Sequence, residues 1–211
     1  VTTPALRRFQ DNGGGRGLSR HPAGRRCGLS LTALPTTLTI PEQRMLRRAM
    51  AGMGLLGALG LFFGQANPFV QCPPLALLFP ACLATLASLA PTNTGAFRAG
   101  WFSGALGNSL CLYWIAVPLH DFGMVPWVLT VPAVLALGAY LGLYGGLFAL
   151  LYRLFRAHLP FFAALLLVCP LWAAVEIAKE SLFTGFPWIN LAPAFLPWPE
   201  PTAAATFLGA T

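Results

Sequence analysis

From residue 49 onward the chain carries only Arg98, Arg153, Arg156 and Lys179 as basic side chains and Asp121, Glu176, Glu180 and Glu200 as acidic ones. Everything between them is apolar blocks parted by short polar punctuation. A soluble domain averages about 25% charged residues, whereas this chain has 9%, with 56% hydrophobic residues and a mean hydropathy of +0.67. It cannot cover itself with polar surface, so lipid is its expected solvent. Blocks of this length satisfy their backbone polar groups in lipid by forming helices. The expected fold class is therefore all-α, a polytopic integral membrane helical bundle.

Five blocks read as spans: residues 49–64, 69–90, 99–119, 124–154 and 159–183. The first is short for a membrane. The second contains Pro73, Pro74 and Pro80, so a kinked or partly broken helix is expected there. The fourth exceeds ~20 residues and should tilt. A sixth block, "LAPAFLPWPEPTAAATFLGAT", begins and is cut off.

The net charge of +7 belongs to the start of the chain: residues 1–48 hold nine arginines against Asp11 and Glu42. With the excess confined there and the rest neutral, no nucleic-acid partner is expected. Residues 1–44 are rich in Gly, Pro, Ser, Thr and Arg and have no apolar period, so they read as a disordered basic head. They lack the pattern of a secretory signal. An organellar transit peptide or an upstream extension of the gene model would explain them, the latter with a natural start near Met45 or Met50. Residues 45–211 form the expected transmembrane domain.

Arginines also set orientation. Arg44, Arg47 and Arg48 precede the first span, Arg98 follows the second, and Arg153 with Arg156 follows the fourth. Alternate crossing places all three groups on one side, which the positive-inside rule makes cytoplasmic. The amino terminus is then inside and residues 184–188 face outward.

Small residues recur at intervals of four: Gly60 and Gly64, Gly100 and Gly104, and Gly138, Gly142 and Gly146. Such stripes let helix backbones approach closely. Asn108, deep in the third block, needs a partner in lipid, and an interhelical hydrogen bond is expected. Tyr113 and Trp114 suit an aromatic belt. Cys72, Cys82, Cys111 and Cys169 lie in apolar runs and read as small hydrophobes. His21, His120 and His158 lack ligand-spaced partners, so no metal and no cofactor is expected.

Cys169, Glu176 and Lys179 share a face of the fifth block and mimic a thiol–carboxylate–amine triad. Seven residues of helix separate Cys169 from Glu176 by about 10 Å, beyond hydrogen-bond reach, so no catalytic residue is assigned. Glu176 and Lys179, three apart, are expected to pair with each other. The same block ends in "TGFPW", where Gly185 and Pro187 stop a helix and Phe186 and Trp188 supply bulk. Glu176, Lys179, Thr184, Gly185, Phe186, Pro187 and Trp188 are the candidates for binding substrate or docking another domain.

Three stretches, "FRAGWFSGALGNSLCLYWI" (97–115), "AYLGLYGGLFA" (139–149) and "LWAAVEIAKESLFTGFPWINL" (171–191), together resemble the membrane half of bacterial apolipoprotein N-acyltransferases. In that family a Leu-Trp pair, a Glu, an Arg and Thr-Gly-Phe-Pro-Trp recur in order. The matching positions are Leu171, Trp172, Glu176, Lys179 and residues 184–188. Lys179 departs from the family's Arg, and "APAF" replaces the family's Gly-Tyr-Ser-Gln. The resemblance implies a bacterial inner-membrane enzyme with eight spans and an outward nitrilase-like domain bearing a Glu-Lys-Cys triad. Its cysteine would take an acyl chain from a phospholipid and pass it to the diacylglyceryl cysteine of an apolipoprotein. That domain is expected to follow the sixth span, so residues 1–211 read as an inactive membrane fragment. The competing reading is a fragment of a membrane transporter or channel, since Gly- and Pro-interrupted spans are common in carriers.

Overall fold

The computed structural model describes residues 40–182 and 187–197, all of them helix, turn or loop. The helices are α1 (Ile40–Gly64), α2 (Leu78–Leu89), α3 (Asn93–Cys111), α4 (Ala116–Asp121), α5 (Trp127–Arg156), α6 (Phe161–Ser181) and α7 (Leu191–Ala194). Short 3-10 turns cover Pro73–Leu77, Tyr113–Ile115 and Pro187–Ile189. The all-α membrane bundle holds. Because α1 begins at Ile40, residues 40–44 of the expected head are helical; residues 1–39 lie outside the described residues, as do 198–211.

The expectation of five spans is too high. Among the described residues three helices are long and apolar enough to cross a membrane: α1, α5 and α6. The bent pair Asn93–Cys111 with Tyr113–Asp121, at 52°, makes a fourth if it is one span. Helix breaks account for both shortfalls. In the second block, Pro73 opens a 3-10 turn, leaving an apolar Pro73–Leu89 segment shorter than a full crossing. Asn67 folds the chain just before it, accepting from the amides of Phe69 and Val70 at 3.0 Å and donating to the Val70 carbonyl at 2.7 Å. In the third block, α3 ends at Cys111 with Leu112 as its C-cap, and α4 resumes from Ala116 at a different angle. The helix turns aside after Cys111.

Close approach at glycine sets the directions of the helices. Gly57 lies against Cys82 and Phe79, and Gly64 against Ala76, so α1 and α2 are antiparallel. Gly54 faces Ser103 while Gly107 faces Ala58 and Leu61, so α1 and α3 run the same way. Gly100 meets Ala149 and Gly138 meets Ser109, which makes α3 and α5 antiparallel. A Cβ at Gly142 would stand 2.6 Å from the Ala105 nitrogen, and one at Gly64 would stand 2.3 Å from that of Ala76. The small-residue stripes are packing seams, as their spacing implies. Trp101 crosses the α3–α5 seam to donate to the Ala139 carbonyl at 2.9 Å.

Asn108 corrects another expectation. Its amide donates to the Gly104 carbonyl at 2.8 Å, inside its own helix. Around it the core is apolar: Phe148, Leu83, Leu86, Leu112 and Leu141 are fully buried. Trp172 packs edge-on against Phe79 at 5.4 Å and Phe148 at 5.3 Å, tying α6 to α2 and α5.

These directions segregate charge. Arg44, Arg47 and Arg48 start α1, Arg98 lies early in α3, and Arg153 and Arg156 end α5, so all six arginines share one end. Arg153 is bonded there to the carbonyls of Ala87, Ala90 and Pro91 and to Asn93 Oδ1. Asp121, Glu176, Lys179 and Glu180 lie at the other end.

Candidate functional site

The last turns of α6 place Trp172, Glu176, Lys179 and Glu180 at intervals of three and four, along one side of the helix. Trp172 Nε1 donates to Glu176 Oε1 at 2.9 Å, which fixes the carboxylate against the indole. The same Oε1 accepts from the backbone N–H of Leu191 at 2.8 Å. Lys179 Nζ donates to the carbonyl of Ile189 at 2.9 Å. Asn190 donates its side-chain amide to Glu180 Oε1, and its carbonyl accepts from Gln65 Nε2 at 2.9 Å.

These bonds form a strap. Three consecutive residues, Ile189, Asn190 and Leu191, are held by side chains from α6 and from the residue that follows α1. The expected Glu176–Lys179 pairing survives as an attraction between the two charges, while each side chain also makes a hydrogen bond with the returning backbone. The reason is geometric. Segment 187–191 folds back over the end of α6 and presents one donor and one acceptor, which take the carboxylate and the ammonium separately. Lys179 is only 7% exposed. A charged donor or acceptor in such a bond contributes about 1.5–3 kcal/mol, and an ionisable group at this depth is costly unless so satisfied.

Beneath the strap lies a cavity of about 20 Å³ lined by Asn108, Tyr144, Trp172, Glu176, Lys179 and Ile189 among others. That is room for about one water molecule, too little for an acyl chain. Asn190 Oδ1 is buried and has no hydrogen-bond partner among the described residues. Outside the strap, Trp188 is 64% exposed and sets its ring 5.8 Å from that of Trp114, at an angle of 52°. Exposed Tyr113 adjoins Trp114. The three aromatics mark one rim of the bundle, as amphipathic rings do where hydrocarbon gives way to headgroups.

The structure thus brings Glu176 and Lys179 together around 189–191, with Trp188 beside them and Pro187 opening the short turn. Thr184, Gly185 and Phe186 lie outside the described residues. Cys169 is exposed on α6. His120 Nδ1 donates to the Val125 carbonyl, 2.8 Å away, and its ring lies 4.4 Å from that of Trp127. That fastens a loop. Among the described residues no three side chains of metal-ligating type gather.

Gln65, Glu180 and Asn190 were not among the candidates. The available signal was weak: Gln65 is the first polar residue after "LGLFFG", and Asn190 closes "FPWIN". Each is a lone amide where an apolar run stops, and nothing local joins two residues 125 positions apart.

Residues 59–211 match the family model described as the apolipoprotein N-acyltransferase N-terminal domain. The chain is 32% identical over 162 residues to an apolipoprotein N-acyltransferase of Bordetella bronchiseptica, covering 71% of this chain and 29% of the relative. It is 34% identical over 137 residues to that of Haemophilus ducreyi (64% of this chain, 25% of the relative). Against the Nitrosomonas europaea protein it is 40% identical over 80 residues (37% and 16%). The chain spans less than a third of the length of these relatives. Over that stretch it is a bacterial membrane protein of the apolipoprotein N-acyltransferase family, matching the family's N-terminal domain.

Proposed function

We propose that this chain provides the membrane-embedded half of an N-acyltransferase of lipoprotein maturation. The reaction moves an acyl chain from a phospholipid donor to the N-terminal diacylglyceryl cysteine of an apolipoprotein, at the outer face of the bacterial inner membrane. The observation that carries the reading is the strap: Glu176 and Lys179 spend their hydrogen bonds on the backbone of residues 189–191. A rigid turn at the lipid boundary is what a separate catalytic domain needs as a seat, because a misplacement of about 1 Å can cost 10²-fold in rate.

In this reading the short turn opened by Pro187 faces outward, with Trp188 at the headgroup level beside the path of the acyl chains. The arginine-bearing end faces the cytoplasm, and with it the amino terminus. Residues 1–211 alone do not perform the chemistry, since Cys169 has neither Glu176 nor Lys179 within reach. The relatives are acyltransferases, which leaves the transporter reading without support.

The test is a chimaera that joins residues 40–197 of this chain to the remaining length of the Bordetella bronchiseptica relative. In vesicles it should transfer a labelled acyl chain from phospholipid to a diacylglyceryl-cysteine peptide, whereas residues 1–211 alone should not. A folded chimaera without transfer would contradict the proposal.

A further inference from the structure

Midway along α1 and α3, away from the strap, a groove of about 220 Å³ opens between the two helices with Leu86 of α2 at its base. Its walls are Met50, Gly54 and Leu55 on one side and Ala99, Phe102 and Leu106 on the other. The Ser103 hydroxyl, which also lines it, donates to the Gly54 carbonyl at 2.9 Å, so this group serves the helix pair. What remains is an apolar slot.

Charge is concentrated at its mouth. Arg47 lies three residues before Met50 and four before Ala51, which places it over the same face of α1. Arg98 stands in the same relation to Phe102 on α3. Because α1 and α3 run the same way, with Gly54 level with Ser103, Arg47 and Arg98 lie at the same end of the groove. Arg48 adjoins them, and all three are exposed. Arg153, by contrast, is committed to backbone carbonyls.

We infer that this groove binds one anionic phospholipid, an acyl chain lying between α1 and α3 and the phosphate at Arg47, Arg48 and Arg98. The apolar walls suit hydrocarbon, and the guanidiniums suit a phosphate, to which they can offer paired donors. Basic pockets between membrane helices select anionic headgroups on these grounds. The site is remote from the strap and independent of the acyl-transfer reading, requiring only that the helices lie in a bilayer.

Native mass spectrometry of the full chain, extracted from vesicles of phosphatidylethanolamine and phosphatidylglycerol in equal amounts, tests it. One phosphatidylglycerol per chain should be retained in preference to phosphatidylethanolamine. Arg47→Gln and Arg98→Gln should each weaken that preference roughly fivefold, and Arg156→Gln, at the same end but off the groove, should not. Gly54→Leu should remove the bound lipid by filling the slot. It should fold, because a Cβ there meets Ser103 and Leu86 only at 3.7 and 3.8 Å, and retained helicity checks this. Equal retention of the two lipids overturns the inference, as does phosphatidylglycerol retained by Gly54→Leu. Displacement by inorganic phosphate would make the site one for a free anion. A chain dimer lost in Gly54→Leu would make the occupant a second copy. Either result overturns it too.

Discussion

Lys179 on α6 donates to the carbonyl of Ile189 at 2.9 Å, ten residues further along a chain that has left the helix and come back over it. The position is one where the family's pattern has arginine, and either cation can reach a carbonyl. Lys179→Arg should therefore keep the strap. Lys179→Met should free the Ile189 carbonyl and leave the half-buried Glu176 without a cation nearby, a loss of about 1.5–3 kcal/mol for the bond alone. Hydrogen exchange at residues 189–191 should rise by at least tenfold in the Met variant and stay near wild type in the Arg variant.

Glu176 serves two donors, Trp172 Nε1 and the Leu191 amide. Glu176→Gln retains an oxygen acceptor and should preserve both contacts at a modest cost. Glu176→Ala orphans a buried indole N–H and a backbone N–H together, at about 1–3 kcal/mol each. The Leu191 amide should then exchange rapidly, and Trp172 fluorescence should shift as its indole loses its partner.

The α3–α5 seam leaves no room for a side chain. Gly142→Ala would put a Cβ 2.6 Å from the Ala105 nitrogen and 2.8 Å from the Trp101 carbonyl, both backbone atoms that cannot rotate away. Overpacking of this kind costs about 1–3 kcal/mol. Gly52, with nothing within 4 Å of its Cβ position, is the control: Gly52→Ala should be neutral or stabilise α1 by up to about 1 kcal/mol. Thermal unfolding in detergent should separate the two variants clearly.

Orientation has its own test, prompted by six arginines at one end and Asp121, Glu176 and Glu180 at the other. A reporter fused after Arg156 should remain cytoplasmic, and one fused after Trp188 should be exported. The reverse pattern would invert the account.

The fold class was legible because charge scarcity and block length are properties of composition. The number of spans was not, because apolar length does not reveal where a helix stops. Pro73 starts a 3-10 turn and the helix begun in α3 stops at Leu112, so two blocks of nearly full length yield shorter or bent elements. The glycine stripes were readable, since a spacing of four is itself a statement about one helix face. Half of the strap could be read in the same way: Glu176 and Lys179 stood out as charges inside an apolar run. Their partners could not, because Ile189 and Leu191 offer only backbone groups, which every residue has. Gln65 joins them through the tertiary fold alone.

In the proposed function, Trp188 beside the strap serves acyl transfer and is more than an anchor. Trp188 is mostly exposed, so removing its ring should cost the fold little. In the chimaera described above, the measurement is the rate of acyl transfer per folded molecule for Trp188→Ala against the parent. The account predicts a fall of at least about tenfold, equivalent to ~1.4 kcal/mol of barrier, with the amount of folded protein nearly unchanged. A rate per folded molecule equal to the parent's would contradict it, and residues 184–188 would then be an anchor alone.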